Sequence, residues 1–263
     1  MDSQIIFPVQ PDPDVNVVKR DIQPPLDKPP FVHLYIGSRG SGKTNALVNF
    51  AMRKCFYGEN PDDETDRVFD ETIIFSSTLG SDITSRHLVE YASQCYDYYD
   101  DEIVRNIIEN QKEKDKKDRK HIHVICDDII TMIKPNALIF KLTSNHRHYL
   151  CSLSFLVQAP KAVPPLVHNC CTRYFVFRNP SYTEMEKIYE KLTFLGGKQS
   201  VHDMYVYCTQ EPYCFMVVDC SNFKVYSMGT HEPQFIWSRY DENGKYNEPF
   251  VYNDKQLEED EMK

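Results

Sequence analysis

Apolar stretches of four to seven residues recur along the first two thirds of the chain, and most are separated by segments with helical periodicity. The stretches predict five buried β-strands, at 31–36, 72–75, 122–126, 151–157 and 174–177. Helical spacing is found at 45–55, 83–95, 101–111 and 181–195. The last of these helices has a capping box, Ser181 and Glu184, and a stop signal at Gly196. This alternation predicts an α/β fold with a mainly parallel sheet and helices on both faces.

The pattern changes towards both ends of the chain. Antiparallel strands are predicted between 203 and 228 from Tyr205, Val206, Tyr207, Phe215, Val217, Val218, Val225 and Tyr226. Residues 1–30 contain seven of the sixteen prolines, which predicts an extended arm that lies on the core or on a neighbouring subunit. The acidic residues 254–263 predict a disordered tail.

A glycine-rich segment connects the first predicted strand to the first helix. It fits the pattern G-x-x-x-x-G-K-[ST] with Gly37, Ser38, Arg39, Gly40, Ser41, Gly42, Lys43 and Thr44. The glycines let backbone N–H groups surround phosphate oxygens, and the following helix directs its positive end at them. Lys43 is then expected to contact the β- and γ-phosphates, and the Thr44 hydroxyl to bind Mg²⁺. The segment therefore predicts a P-loop that binds ATP.

Two carboxylates follow the strand 122–126 directly. We expect Asp127 to hold Mg²⁺ together with Thr44, and Asp128 to polarise the attacking water. A kinase that transfers phosphate to a bound acceptor does not need a water-activating acid here, so the pair favours hydrolysis.

A polar residue, Gln158, ends the strand 151–157. Gln158 would sense the γ-phosphate or its water if this strand lay between the P-loop strand and the acidic strand. With the five strands numbered along the chain, the predicted sheet order is 5-1-4-3-2. A solvent-facing glutamine is the alternative interpretation.

Composition narrows the possible environments and partners. The net charge is -9, whereas a protein that binds nucleic acid non-specifically is usually basic. Lys112–Lys120, with six bases and three acids, is either a solvated loop or a local DNA contact. The nine scattered cysteines lack zinc-site spacing and indicate reduced thiols. We expect no secretory signal and no membrane segment.

These motifs together resemble the genome-packaging ATPases of large DNA viruses, poxvirus-like and mimivirus-like, in the FtsK/HerA group of P-loop translocases. The resemblance extends from about Val32 to Leu192. Its carriers are Gly37–Thr44, Asp127-Asp128, Arg147-His148, Ser154–Gln158 and Arg173, and its most specific part is Asn145-His146-Arg147-His148 with Gln158-Ala159-Pro160.

The resemblance implies a RecA-like core and a homo-oligomeric ring that moves double-stranded DNA into a capsid by ATP hydrolysis. It implies ATP and Mg²⁺ as cofactors and a capsid or portal-like protein as a further partner. The expected location is the virus assembly site in the host cytoplasm, or the virion. A ring ATPase often completes its site with a neighbour's arginine. Arg173, before the fifth strand, and Arg147, before the fourth, are the candidates.

Three segments are thus expected: a proline-rich arm at 1–30, a P-loop ATPase domain at 31–230, and an extended segment with an acidic tail at 231–263. Two other functions fit parts of this pattern. One is a nucleotide or nucleoside kinase, although no arginine-rich lid is evident. The other is a non-motor assembly protein that binds nucleotide without hydrolysing it. The intact Lys43, Thr44 and acidic pair argue against the second.

Overall fold

The computed structural model of the protein describes residues 16–60, 63, 66–80 and 83–252. Its strands are β1 Val32–Ile36, β2 Glu71–Ser76, β3 Gln94–Tyr96, β4 Ile122–Asp127, β5 Cys151–Val157, β6 Arg173–Phe177, β7 Phe215–Asp219, β8 Lys224–Met228 and β9 Gln234–Ser238. Its helices are α1 Lys43–Met52, α2 Ile83–Tyr91, α3 Asp101–Lys112, α4 Leu138–Asn145, α5 Pro165–Cys170, α6 Tyr182–Lys191 and α7 Lys198–Cys208.

All nine strands form one sheet in the order β3-β2-β4-β5-β1-β6-β7-β8-β9. The five predicted strands correspond to β1, β2, β4, β5 and β6, so the predicted order 5-1-4-3-2 is confirmed. The strands from β3 to β6 are parallel, and β7, β8 and β9 extend the sheet in antiparallel fashion. The carboxyl ends of β1, β2, β4, β5 and β6 therefore lie along one side of the sheet, which we call the carboxyl edge.

The sheet is covered on both faces, which is why the parallel strands consist mostly of apolar residues. Every residue of β1, β4, β5 and β6 is buried. One face packs against α1 and α2 through residues such as Leu47 and Leu88. The other face packs against α3, α4, α5, α6 and α7, with Val104, Ile139 and Ile188 in its core.

Two local predictions were wrong. The helix expected at 83–95 ends at Tyr91, because the Ser93 N–H donates to the Thr72 carbonyl (2.8 Å) and directs the chain into β3 beside β2. Tyr205, Val206 and Tyr207 belong to α7 and not to a strand. The buried positions of α7 include Val201, Met204, Tyr205 and Cys208, whose helical spacing outweighs the short aromatic alternation.

The described part of the N-terminal arm, residues 16–30, packs on the core without forming a helix or strand. Val18, Ile22 and Leu26 are buried, and Arg20 forms an ion pair with Asp66 (2.9 Å). The acidic tail at 254–263 lies outside the described residues. The segment after 230 contributes β9 to the sheet. No helix within the described ranges is long and apolar enough to cross a membrane.

Candidate nucleotide-binding site

The glycine-rich segment leaves β1 at the carboxyl edge and leads into α1. Its backbone needs glycine at two points, because Gly40 and Gly42 have φ of 77° and 99°. A third glycine, Gly37, is required by space, since a Cβ there would lie 2.6 Å from that of Phe177. The Gly37 N–H donates to the Val157 carbonyl (3.2 Å), which fixes the loop beside β5. The sequence motif thus folds into a narrow loop at the edge of the sheet.

The start of α1 is suited to an anion. No side chain caps the helix at Gly42, so the N–H groups of the first turn and the positive end of the helix dipole are directed at the loop. Thr44 is half-buried in this first turn. Its hydroxyl is an oxygen donor of the kind that Mg²⁺ accepts.

The Lys43 side chain lies inside the loop. Its Nζ donates to the carbonyl oxygens of Gly37 (2.9 Å) and Ser38 (3.0 Å), and the residue is buried. Burial lowers the pKa of Lys43 from its ordinary value, while the charges of Asp128 and Asp127 oppose this change. The ammonium group is therefore held between the loop and the two carboxylates.

Asp127 and Asp128 occupy the end of β4. Asp127 is buried and lies level with Ser76 of β2 and Leu156 of β5. Asp128 adopts a left-handed backbone (φ 49°), and its N–H donates to the Leu156 carbonyl (3.2 Å). The turn at Asp128 gives the two neighbouring carboxylates different positions: one is buried and the other is half-exposed.

Gln158 joins the acidic pair because β5 lies between β1 and β4. Its Nε2 donates to the Oδ2 atom of Asp128 (3.1 Å). The side chain is exposed at the carboxyl edge. The structure therefore brings the predicted γ-phosphate sensor into contact with the predicted catalytic acid.

The residues present fit a magnesium ion that depends on the nucleotide. Thr44 and Asp127 offer one hydroxyl and one carboxylate. Among the described residues, no group of three or more histidine, cysteine, aspartate or glutamate side chains is placed to hold a metal. Mg²⁺ commonly takes one or two protein ligands and completes its shell with phosphates and water.

Arg173 is buried and contacts residues of its own chain. Its guanidinium forms ion pairs with Asp27 (2.5 Å) and Asp219 (2.6 Å) and donates to the Pro25 carbonyl (2.8 Å). Arg173 is also the first residue of β6, at the end opposite the carboxyl edge. The structure therefore argues against its predicted donation to a neighbour's nucleotide, because exposing this arginine would leave two largely buried carboxylates without their cation.

Arg147 differs from Arg173 in being exposed. It lies in a short 3₁₀ turn, His146–Tyr149, between α4 and β5, and therefore at the same end of the parallel strands as Arg173. Within the described part of the chain its guanidinium has no ion pair with an acidic side chain. Arg147 remains available to another molecule, and its role in trans stays a prediction.

Two further residues at the site, Arg178 and Tyr213, were not identified in the sequence analysis. The carbonyl of Arg178, just after β6, accepts from the Ser38 hydroxyl (3.1 Å), and its guanidinium donates to the carbonyls of Thr209 and Gln210 (2.5 and 2.6 Å). Arg178 could have been predicted from the sequence, because it directly follows the strand that was expected to pair with the P-loop strand. Tyr213 has its ring beside Gly42. No sequence signal indicated this contact, because it depends on β7 running back beside β6.

Comparisons with known proteins agree with this architecture. The family model described as "Poxvirus A32 protein" matches residues 20–228. No curated protein matches the chain.

Solved structures of one protein, B204, share the fold. The DNA-packaging ATPase B204 from Sulfolobus Turreted Icosahedral Virus superposes with a TM-score of 0.56 at 14% identity, covering 78% of this chain and 100% of that one. The genome packaging NTPase B204 from Sulfolobus turreted icosahedral virus 2, in complex with ATP-gammaS, gives 0.52 at 16% identity, covering 75% and 96%. Because the family model spans most of the described residues, this chain belongs to the Poxvirus A32 protein family.

Proposed function

We propose that this protein is an ATP-hydrolysing motor subunit that drives double-stranded viral DNA into a capsid. The observation that carries the proposal is the convergence of Lys43, Asp128 and Gln158 at one edge of the sheet. B204, which has the same fold, is described as a DNA-packaging ATPase, and its structures include a complex with an ATP analogue.

Each residue of the site has a separate part in the proposed reaction. The backbone N–H groups of the loop and Lys43 bind the β- and γ-phosphates. Thr44 and Asp127 would hold Mg²⁺, which when bound supplies positive charge to those phosphates. Asp128 orients and polarises the attacking water, and its bond to Gln158 fixes the carboxylate. Gln158 is placed to respond to the presence of the γ-phosphate.

Assembly into a ring and contact with DNA are further parts of this proposal. Arg147 is exposed and would complete a neighbour's site. The basic run Lys112–Lys120 is largely exposed and precedes β4, so it lies at the side of the sheet opposite the nucleotide. The run has six bases and three acids, which is a local excess of positive charge within a chain whose net charge is -9. A capsid or portal-like protein is the proposed partner, at the assembly site in the host cytoplasm or in the virion.

The proposal is tested by phosphate release from ATP with purified protein, with and without double-stranded DNA, alongside its mass in solution. We expect release without any second substrate, stimulation by DNA and a mass above that of one chain. A requirement for a phosphate acceptor would instead indicate a kinase. Binding of ATP without turnover under all conditions would indicate a non-motor assembly protein.

Lys43→Ala tests the P-loop itself. The loss of a buried cation that binds phosphate should weaken ATP binding by at least tenfold to a hundredfold, since a charge-assisted hydrogen bond contributes about 1.5–3 kcal/mol. Calorimetry measures the affinity directly. Lys161→Ala, which removes an exposed lysine, is the matched control. Unchanged ATP affinity in Lys43→Ala would remove the P-loop assignment.

A further inference from the structure

We infer that Tyr213 is the base-binding residue of the site and stacks on the purine ring of the nucleotide. The inference rests on the proposed function, because it adds a nucleoside subsite to the same P-loop. It concerns the segment Thr209–Cys214, which connects α7 to β7.

The direction of the nucleotide follows from the sheet order. Asp128 and Gln158, which face the γ-phosphate, lie on β4 and β5, to one side of β1. The triphosphate runs from these residues across the loop to the start of α1. The nucleoside end must then point to the opposite side of β1, where β6 and β7 lie. Phe177 pairs with Phe215 at this edge, so the segment before β7 borders the predicted path of the nucleoside.

Tyr213 is the large side chain at that position. A Cβ on Gly42 would lie 3.3 Å from Cδ1 of the Tyr213 ring, so the ring lies over the entrance to α1. The side chain is nevertheless 64% exposed, so it leaves most of its surface free. An aromatic ring that borders the phosphate loop but is not packed into the core is suited to stack on a base.

The backbone holds Tyr213 in place at some conformational cost. Its φ is 66°, a left-handed value that non-glycine residues rarely adopt and that is frequent at ligand-binding positions. The Arg178 guanidinium binds the carbonyls of Thr209 and Gln210, and the Arg178 carbonyl binds Ser38 of the P-loop. One residue thus connects the phosphate loop to the segment that carries the tyrosine.

The test compares ATP with inorganic triphosphate, which has no base. By calorimetry, Tyr213→Ala should weaken ATP binding about 5- to 150-fold, the range found when bases lose an aromatic partner. Its affinity for inorganic triphosphate should stay within about twofold of the wild type, and Tyr213→Phe should bind ATP normally. Tyr98→Ala is the matched control, because Tyr98 is similarly exposed (56%) but follows β3 at the far end of the sheet.

The outcomes separate this inference from the proposed function. If the wild type binds triphosphate as tightly as ATP, or if Tyr213→Ala binds ATP normally, the base site is wrong while the P-loop stands. Equal losses of ATP and triphosphate in Tyr213→Ala would also overturn it, since the residue would then shape the loop. A wild type that binds neither compound would overturn both proposals.

A fluorescence measurement gives an independent readout. The chain has one tryptophan, Trp237, which is buried in β9. Tyr213→Trp adds an exposed indole at the proposed base site. Its emission should change with ATP and ADP but not with inorganic triphosphate. An equal change with triphosphate would overturn stacking on the base.

Discussion

At the scale of single residues, the two adjacent aspartates show how one turn separates two roles. Asp127 ends β4 and is buried beside Ser76, whereas the left-handed backbone of Asp128 places its carboxylate at the half-exposed position that contacts Gln158. Two identical neighbouring residues therefore differ in exposure: Asp127 offers a buried carboxylate to a cation, and Asp128 offers a carboxylate that water can reach.

Asp128→Asn should bind Mg·ATP normally but hydrolyse it roughly 10²–10⁴-fold more slowly, because an amide cannot polarise water as a carboxylate does. The asparagine Oδ1 atom can still accept from Gln158, so the turn should be retained. Single-turnover hydrolysis with a parallel binding titration measures both effects. Asp127→Asn should in addition raise the Mg²⁺ concentration needed for turnover. Wild-type turnover in Asp128→Asn would show that another group activates the water.

At the scale of elements, Arg173 connects three parts of the chain. It ties the N-terminal arm, through Asp27 and Pro25, to the first residue of β6 and to Asp219 at the end of β7. The arm, the parallel part of the sheet and its antiparallel extension thus meet at one guanidinium.

Arg173→Ala should lower the free energy of unfolding by about 3–5 kcal/mol, because two largely buried carboxylates lose their cation. Denaturant unfolding measures this loss. Lys120→Ala, which removes a partly exposed ion pair with Glu71, should cost no more than about 1 kcal/mol. The structural role would be contradicted if Arg173→Ala were stable and bound ATP but did not hydrolyse it. That result would indicate that Arg173 acts in a neighbour's site.

Buried histidines on β1 and β4 predict acid sensitivity. Burial lowers the pKa of His33 to about 4 and that of His123 to about 3, although the Asp27 carboxylate opposes this for His33. Below pH 6.5 these histidines bind protons in the unfolded chain but stay neutral in the folded chain. The free energy of unfolding therefore decreases as the pH falls. Each histidine should lower the free energy of unfolding by about 1.6 kcal/mol between pH 6.5 and 5.

Denaturant unfolding of the wild type and of His123→Asn at several pH values tests this effect. The variant should lose less stability than the wild type over the same interval, because one of the two groups no longer titrates. The two proteins are compared by how steeply the free energy of unfolding changes with pH. A general destabilisation by the substitution does not affect this slope. Identical slopes would contradict the buried, neutral state of His123.

At the scale of the whole molecule, the proposed ring requires two neighbouring subunits for each complete ATPase site. If Arg147 completes a neighbour's site, then Arg147→Ala should bind ATP normally and turn over poorly, since such arginines contribute roughly 10³–10⁵-fold. Specific activity of the wild type should rise with protein concentration as subunits associate. Arg53→Ala, which removes an exposed arginine just after α1, should retain turnover.

Mixing subunits provides the sharper test of the ring. Arg147→Ala has an intact Asp128, and Asp128→Asn has an intact Arg147, so an interface between them can contain one complete site. Part of the activity should return on mixing. No recovery at any ratio, together with a fully active dilute monomer, would contradict a trans-acting arginine.

The residues of the P-loop, the acidic pair and the alternation of strands with helices were predictable from the amino-acid sequence. Gly37, Gly40 and Gly42 need backbone conformations or spacing that only glycine tolerates. Apolar strands that alternate with helices are typical of a parallel sheet that is covered on both faces. These constraints are local, so the P-loop and the acidic pair could be predicted from residue types and spacing. The order of the five strands was predicted instead as the arrangement that would let Gln158 reach the γ-phosphate. The parallel strands then require the acids and Gln158 to meet the loop at one edge.

The roles of the remaining residues depend on the packing of segments that are distant in sequence. Whether Arg173 faces a neighbour or the interior depends on Asp27 and Asp219, which are distant in sequence. The position of the Tyr213 ring beside Gly42 depends on β7 pairing antiparallel to β6. Tyr205–Tyr207 became part of a helix because burial on α7 outweighed local β-propensity. An arginine or a tyrosine has the same local preferences in either setting, so only the packing of distant segments selects between them.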